Sequence, residues 1–242
     1  MRPGDHALAL WCDTGSPMAS HKELKARQRR ERDTHSPSVV LRVHRALSWL
    51  ARAEKERSDD DARFVFLWIA FNAAYATENH DGELTEASSF RTFLRTLVKL
   101  DASGRLGHLV WREFPGSIRM LLKNEFVFKD FWQYQNGLLT ADEWESHFKK
   151  SRRAAELALA GGDTLKVLLI VLKRLYVLRN QLIHGGATWN SAVNRDQVRD
   201  CANLLGKLVP IIIEIMMDHP QHNWGAATYP VVAQAAKAKR QA

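Results

Sequence analysis

The chain has 242 residues, 45% of them hydrophobic and 26% charged, with a formal net charge of +8. Those values suit one generous soluble domain with tails. They leave no room for a membrane helix, which needs roughly 18 apolar residues in a row, because the best stretch, "LVPIIIEIMMD", is short and carries Glu214.

The N-terminus "MRPGDHALALWCDTG" has one Arg, a very short apolar run and acids on both sides, so it makes a poor signal peptide. Cys12 and Cys201 are far apart and form neither a disulfide framework nor a metal-ligand set. A cytoplasmic protein without a cofactor is expected. Residues 1–35 hold 7 basic and 5 acidic side chains, and residues 231–242 add Lys237, Lys239 and Arg240. The middle keeps 25 basic against 22 acidic residues, so more than half of the excess lies in the tails. Such tails supply weak, salt-sensitive affinity for phosphates or simply aid solubility.

Taken in chain order, residues 1–35 read as a leader without a core. "HKELKARQRRERD" is almost free of apolar residues, which fits a frayed charged helix or disorder. Met18 is an alternative start to Met1. Order begins at "SPSVVLRVHRALSWLARAEKER", where Ser36 or Ser38 can cap and Val40, Val43, Leu47 and Leu50 recur at helical spacing. "SDDDARFVFLWIAFNAAYATEN" follows, its Asp cluster suited to a helix N-terminus. Its Phe64–Tyr75 run is apolar nearly all round, as in a central bundle helix. The short connection makes these two helices antiparallel neighbours.

"SSFRTFLRTLVKLD" predicts a shorter helix capped by Ser88 or Ser89. Residues 104–140 are less regular. Pro115-Gly116 breaks them, and aromatics from Trp111 to Tyr134 interleave with Arg112, Arg119, Lys123 and Lys129. That mixture fits a stacking surface for RNA bases, though satellite core under an irregular segment is the commoner outcome. "TADEWESHFKKSRRAAELALAGG" predicts a helix with a Thr140–Glu143 capping box and a glycine stop. Asp163 or Thr164 then caps "LKVLLIVLKRLYVLRNQLIH", which Gly185-Gly186 ends, and "NRDQVRDCANLLGKLVPIIIEIMMDH" supplies a last helix kinked near Pro210. Nothing alternates at period two. The expected fold is all-α: a disordered basic leader (1–35), one helical domain (36–222) with an aromatic-rich middle, and a flexible basic tail (223–242).

One constellation carries chemistry. On a wheel of about 100° per residue, Leu165, Leu168, Leu169, Leu172, Leu175, Tyr176 and Ile183 share a face, and Arg179 falls in its middle. A lone guanidinium there costs several kcal/mol unless it meets an anion or leaves the core at the helix end. Asn180 and His184 are i, i+4 neighbours on an adjacent flank. An imidazole in the last helical turn, where positive charge is favoured, can take a proton in one step and return it in the next. Arginine can hold a phosphate through a forked pair of hydrogen bonds, and Asn180 can orient either group. These parts suffice for RNA cleavage by its own 2′-hydroxyl, which DNA lacks. The structural alternative pairs Arg179 with Glu214 or a neighbouring Asp and leaves His184 to satisfy terminal carbonyls.

At these residues the chain resembles the HEPN superfamily, whose ribonucleases carry Arg, four to six residues and then His at the end of a late helix. "RNQLIH" supplies Arg179, Asn180 and His184 with four intervening positions, and "RFVFLWIAFNAAYA" is similar to the second-helix "W..FNA.Y" pattern of Apea-like HEPN domains. The resemblance covers roughly residues 38–218 and is carried by these two helices. It implies a helical bundle that forms a homodimer, with two motif helices building a composite, metal-independent RNase site for single-stranded RNA, in toxin–antitoxin or antiviral defence systems. It also implies an antitoxin or defence protein as a possible partner. By motif position Arg179, Asn180 and His184 carry the site, with Asn72 facing it as a buried polar bracket. Some relatives are inactive, so the alternative is a non-catalytic HEPN module binding RNA, a nucleotide or a partner protein.

Overall fold

The computed structural model describes residues 19–76 and 86–229, and the regular elements in them are helical. Ten α-helices follow one another: α1 (His21–Glu31), α2 (Pro37–Ala53), α3 (Asp60–Tyr75), α4 (Glu86–Leu100), α5 (Arg105–His108), α6 (Pro115–Lys123), α7 (Lys129–Gln135), α8 (Ala141–Ala160), α9 (Thr164–Ile183) and α10 (Arg195–Asp218). The fold is an all-α bundle. Among the described residues no helix is long and apolar enough to cross a membrane.

Side-chain caps set several starts. Ser36 accepts from Val39 N–H, Asp59 from Ala62 N–H and Asp163 from Lys166 N–H, while Thr140 and Glu143 complete both halves of a capping box. Ser88 and Ser89 lie inside α4 rather than before it. Pro115 opens α6, where its fixed φ and missing donor do no harm. α10 runs unbroken through Pro210.

α2, α3 and α10 form the centre. Arg42 near the start of α2 meets the Ala74 carbonyl near the end of α3, and Trp49 stacks on Phe66, so the two helices are antiparallel. Val43, Leu47, Leu50, Phe64, Leu67 and Phe71 are fully enclosed there. α9 packs on α3, α4, α6 and α8.

Both ends of the domain extend past their sequence boundaries. The segment expected as a disordered leader contains α1, whose Ser20–Glu23 capping box holds its first turn and whose Leu24, 1% exposed, enters the core. Arg27 pairs with Asp218 of α10 at 2.9 Å and His21 N–H donates to Glu54 at 3.0 Å. Long-range charge pairing therefore docks a helix that has hardly any apolar stripe. Residues 223–229, expected as tail, are packed: Trp224 is buried against Phe93, and Arg42, Arg45 and Ser38 donate to the carbonyls of Gly225, Ala226, Thr228 and Tyr229. Residues 1–18 and 230–242 lie outside the described residues.

Candidate functional site at the end of α9

α9 is apolar nearly all round, and its neighbours choose which side it buries. The buried residues are Val167, Leu168, Val171, Leu172, Arg174, Leu175 and Leu178, a face turned roughly a quarter of a circle from the one that periodicity selects. Tyr176 (37% exposed) and Ile183 (46%) consequently face outward. Arg179 sits at the edge of the buried face, not in its middle. The guanidinium inside the core belongs to Arg174, 3% exposed, which lies over Phe128 at 4.4 Å and Phe148 at 5.4 Å and donates to Ser151 Oγ at 3.2 Å.

Arg179 and Asn180 are brought together. Arg179 Nη1 donates to Asn180 Oδ1 at 2.9 Å, and the guanidinium carbon stands 5.8 Å from the Tyr176 ring centroid. Arg179 Nε is enclosed with no hydrogen-bond partner, and among the described residues no ion pair engages this side chain. Glu214, the acid that the sequence offers, is taken by Arg105 at 3.4 Å. His184 occupies the C-cap position, exposed, with its N–H on the Asn180 carbonyl at 3.0 Å. Gly185 follows in the left-handed region (φ 70°), which a side chain would resist. Backbone, not side chain, thus joins Asn180 to His184. Arg179 and His184 are separated by about 140° around the axis and about 7.5 Å along it, so one protomer presents them on different sides.

Asn72 is not beside the trio. Trp68 packs on Tyr176 at 6.0 Å, and the N-terminal aspartates of α3 reach the loop beyond α9, so α3 runs antiparallel to α9. Asn72 lies one turn past Trp68 in the direction of the α9 N-terminus, roughly 10 Å along the axis from Arg179 and farther from His184.

Two neighbourhoods escape motif reasoning. The aromatic-rich segment is only partly satellite core: Phe131 is buried and meets Phe126, Trp132 and Trp144 edge-on at 5.2–5.4 Å, while Phe126, Trp132 and Tyr134 keep exposed surface. It reaches α9 through the Phe126 carbonyl, which accepts from both Trp132 Nε1 and Gln181 Nε2 at 2.7 Å, and through Phe128 beneath the Arg174 guanidinium. Beyond it a groove of about 710 Å³ separates α6 from the start of α10, lined by Met120, Leu121, Phe126, Val193, Gln197 and Leu204, and the trio is not part of it. The second neighbourhood is the loop after His184, tied to Asp59 and Asp61. A run of three Asp where one cap suffices was the sequence signal for it.

Among the described residues no group of three or more His, Cys, Asp or Glu is arranged to hold a metal ion. Cys201 is buried, and burial pushes its thiol up, away from nucleophilic use. No protein-family model, curated protein or solved structure matches the chain.

Proposed function

We propose that this chain is a metal-independent endoribonuclease that acts as a homodimer, with Arg179, Asn180 and His184 as its half-site. The observation that carries this is the half-buried Arg179 with no acidic partner among the described residues. A guanidinium so placed is stabilised when an anion arrives, and the phosphodiester of RNA is an anion with a nucleophile beside it. Asn180 holds the guanidinium by its Nη1, leaving Nη2 for a phosphate oxygen, while Nε is enclosed.

The reaction balances without any other reagent. The imidazole of His184 takes the proton from the 2′-hydroxyl, the O2′–P bond forms, and the P–O5′ bond breaks. The departing O5′ takes a proton from an imidazolium. The products are a 2′,3′-cyclic phosphate and a 5′-hydroxyl. The angular separation of Arg179 and His184 supports a site completed by a second copy, in which one protomer's Arg179 meets its partner's imidazole. The family resemblance points the same way and favours a defence or toxin–antitoxin setting, with an antitoxin as partner.

The test is cleavage of single-stranded RNA by the purified protein in excess EDTA, with the product ends identified. His184→Ala should abolish cutting while the fold is intact by circular dichroism. Equal cutting by the alanine variant ends the proposal. The second reading, a non-catalytic HEPN module, is favoured by the lack, among the described residues, of any side-chain hydrogen bond orienting His184. It predicts RNA binding that survives His184→Ala and no cyclic phosphate.

A further inference from the structure

Five residues beyond His184 the loop presents Trp189 to solvent, 70% exposed. A single exposed apolar ring is ordinary and means little by itself. This one is held in place. Its Nε1–H donates to Asp59 Oδ2 at 2.9 Å, and the other oxygen of that carboxylate caps α3 by accepting Ala62 N–H at 2.9 Å. The acceptor is therefore fixed to a helix end. On the following residue, Asn190 N–H donates to Asp61 Oδ2 at 3.0 Å, and Arg195 Nη2 donates to the same oxygen at 2.7 Å. Asp61 is only 6% exposed. Asn190 takes φ 56°, in the left-handed region that Asn tolerates better than most side chains.

An indole pinned by its edge is a preorganised flat surface, with little rotamer freedom left to lose when another ring settles on it. Phe126 (45% exposed) and Trp132 (38%) offer less surface than Trp189 and each also meets Phe131 edge-on. Trp189 is also close to the chemistry. Five residues span at most about 17 Å between Cα atoms, and the bond from Ala187 N–H to the Gln181 carbonyl at 3.0 Å folds the loop back and shortens that reach. A strand whose 2′-hydroxyl sits at His184 has neighbouring bases within that distance.

The geometry points to Trp189 as a stacking platform for one unpaired base of single-stranded RNA, a few nucleotides from the scissile phosphate. This rests on the ribonuclease reading above. The role is positioning, not catalytic: Trp189 touches a base and donates nothing to the reacting atoms. Stacking accepts any base, because every base has a π-face, but it requires that the base be free of a duplex. The platform thereby confers a preference for single strands without sequence specificity.

The experiment uses the full chain carrying His184→Ala, so that RNA is bound and not cut, with a fluorescein-labelled single-stranded RNA dodecamer read by anisotropy. Adding Trp189→Ala should weaken binding about tenfold or more, and Trp189→Phe should restore most of it. A set of dodecamers with one abasic position each should show one position whose loss matches that of Trp189→Ala and adds nothing in the Trp189→Ala background. Thermal melting should be nearly unchanged, which separates lost stacking from lost fold. Equal affinity of the tryptophan and alanine chains, or an abasic penalty that ignores residue 189, overturns the platform alone. A parent chain that binds no RNA overturns both the platform and the ribonuclease reading. RNA binding that depends on Trp189 in a protein whose wild type cuts nothing keeps the platform and removes the nuclease. If Trp189→Ala changes the oligomeric state and leaves RNA affinity alone, the ring serves a protein contact and the platform falls.

Discussion

Among the described residues two guanidiniums, those of Arg42 and Arg174, are buried, and they are not equivalent. Burial pulls both Arg42 and Arg174 down to about 10, still well above neutrality, so each remains charged in the core. Arg42 donates to the Ala74 carbonyl at 2.9 Å, where the end of α3 carries partial negative charge, and to the Ala226 carbonyl at 2.8 Å. It binds the C-terminal strap to the bundle. Arg174 has a single hydroxyl partner and two aromatic faces, and its Nη1 is enclosed without an acceptor. Arg42→Met should therefore lower stability by roughly 2–4 kcal/mol in urea unfolding, because buried carbonyls lose charged donors. It should also open residues 223–229 to protease. Arg174→Met keeps the stem packing, removes a poorly compensated charge and should be neutral or stabilising. Equal losses from both substitutions would contradict this account.

At the scale of elements, α1 depends on pH in a way that the central helices do not. His21 on α1, His35 in the connection and His44 on α2 each titrate below the ordinary 6.5 because burial disfavours the cation. Lys25, 3.2 Å from His44 Nδ1, adds repulsion. Between the folded values and 6.5 the unfolded state binds more protons, so the contribution is fully present above 6.5 and is lost as pH falls through that window. The ion pair from Arg27 to Asp218 outlasts it. Burial opposes ionisation of Asp218, but hydrogen bonds from Arg105 and Arg27 outweigh that and hold it below the ordinary 3.8. Amide exchange should show protection of α1 falling between pH 7.5 and 5.5 while α9 and α10 change little; a uniform change across all helices would refute the idea. The same helix marks how far the sequence was legible. α2, α3, α8, α9 and α10 could be read from caps, glycine stops and apolar period, because those signals are local. α1 could be read only as a frayed charged helix or disorder, since its docking depends on Asp218 and Glu54, far away in the chain. In α9, leucines on nearly every side left the buried face to be chosen by α3, α4, α6 and α8. Motif spacing set Asn180 and His184 within side-chain reach, but only their backbones join, and the distance of Asn72 and the tether of Trp189 follow from the antiparallel pairing of α3 with α9.

For the whole molecule, the proposed homodimer raises the question of how two copies would meet. Tyr176, Asn180 and Ile183 follow one another at i, i+4 and i+7 along the outward side of α9, two exposed apolar side chains flanking the amide that holds Arg179. A two-fold axis across this strip is self-complementary and sets two motif helices together. Each copy carries a formal charge of +8, so association opposes like charge and should tighten as salt is raised to physiological strength. Light scattering at micromolar concentration should give a dimer, and Ile183→Asp should give a folded monomer without RNA cleavage. Complementation then decides where the site lies. Arg179→Ala and His184→Ala chains, each inactive alone, should regain partial activity when mixed and allowed to exchange subunits, because each heterodimer has one site with an intact Arg179 from one chain and an intact His184 from the other. If Arg179 and His184 of the same protomer served each site, no mixture could contain an intact pair. Silence in that mixture, with heterodimers demonstrated, would place the chemistry within one copy.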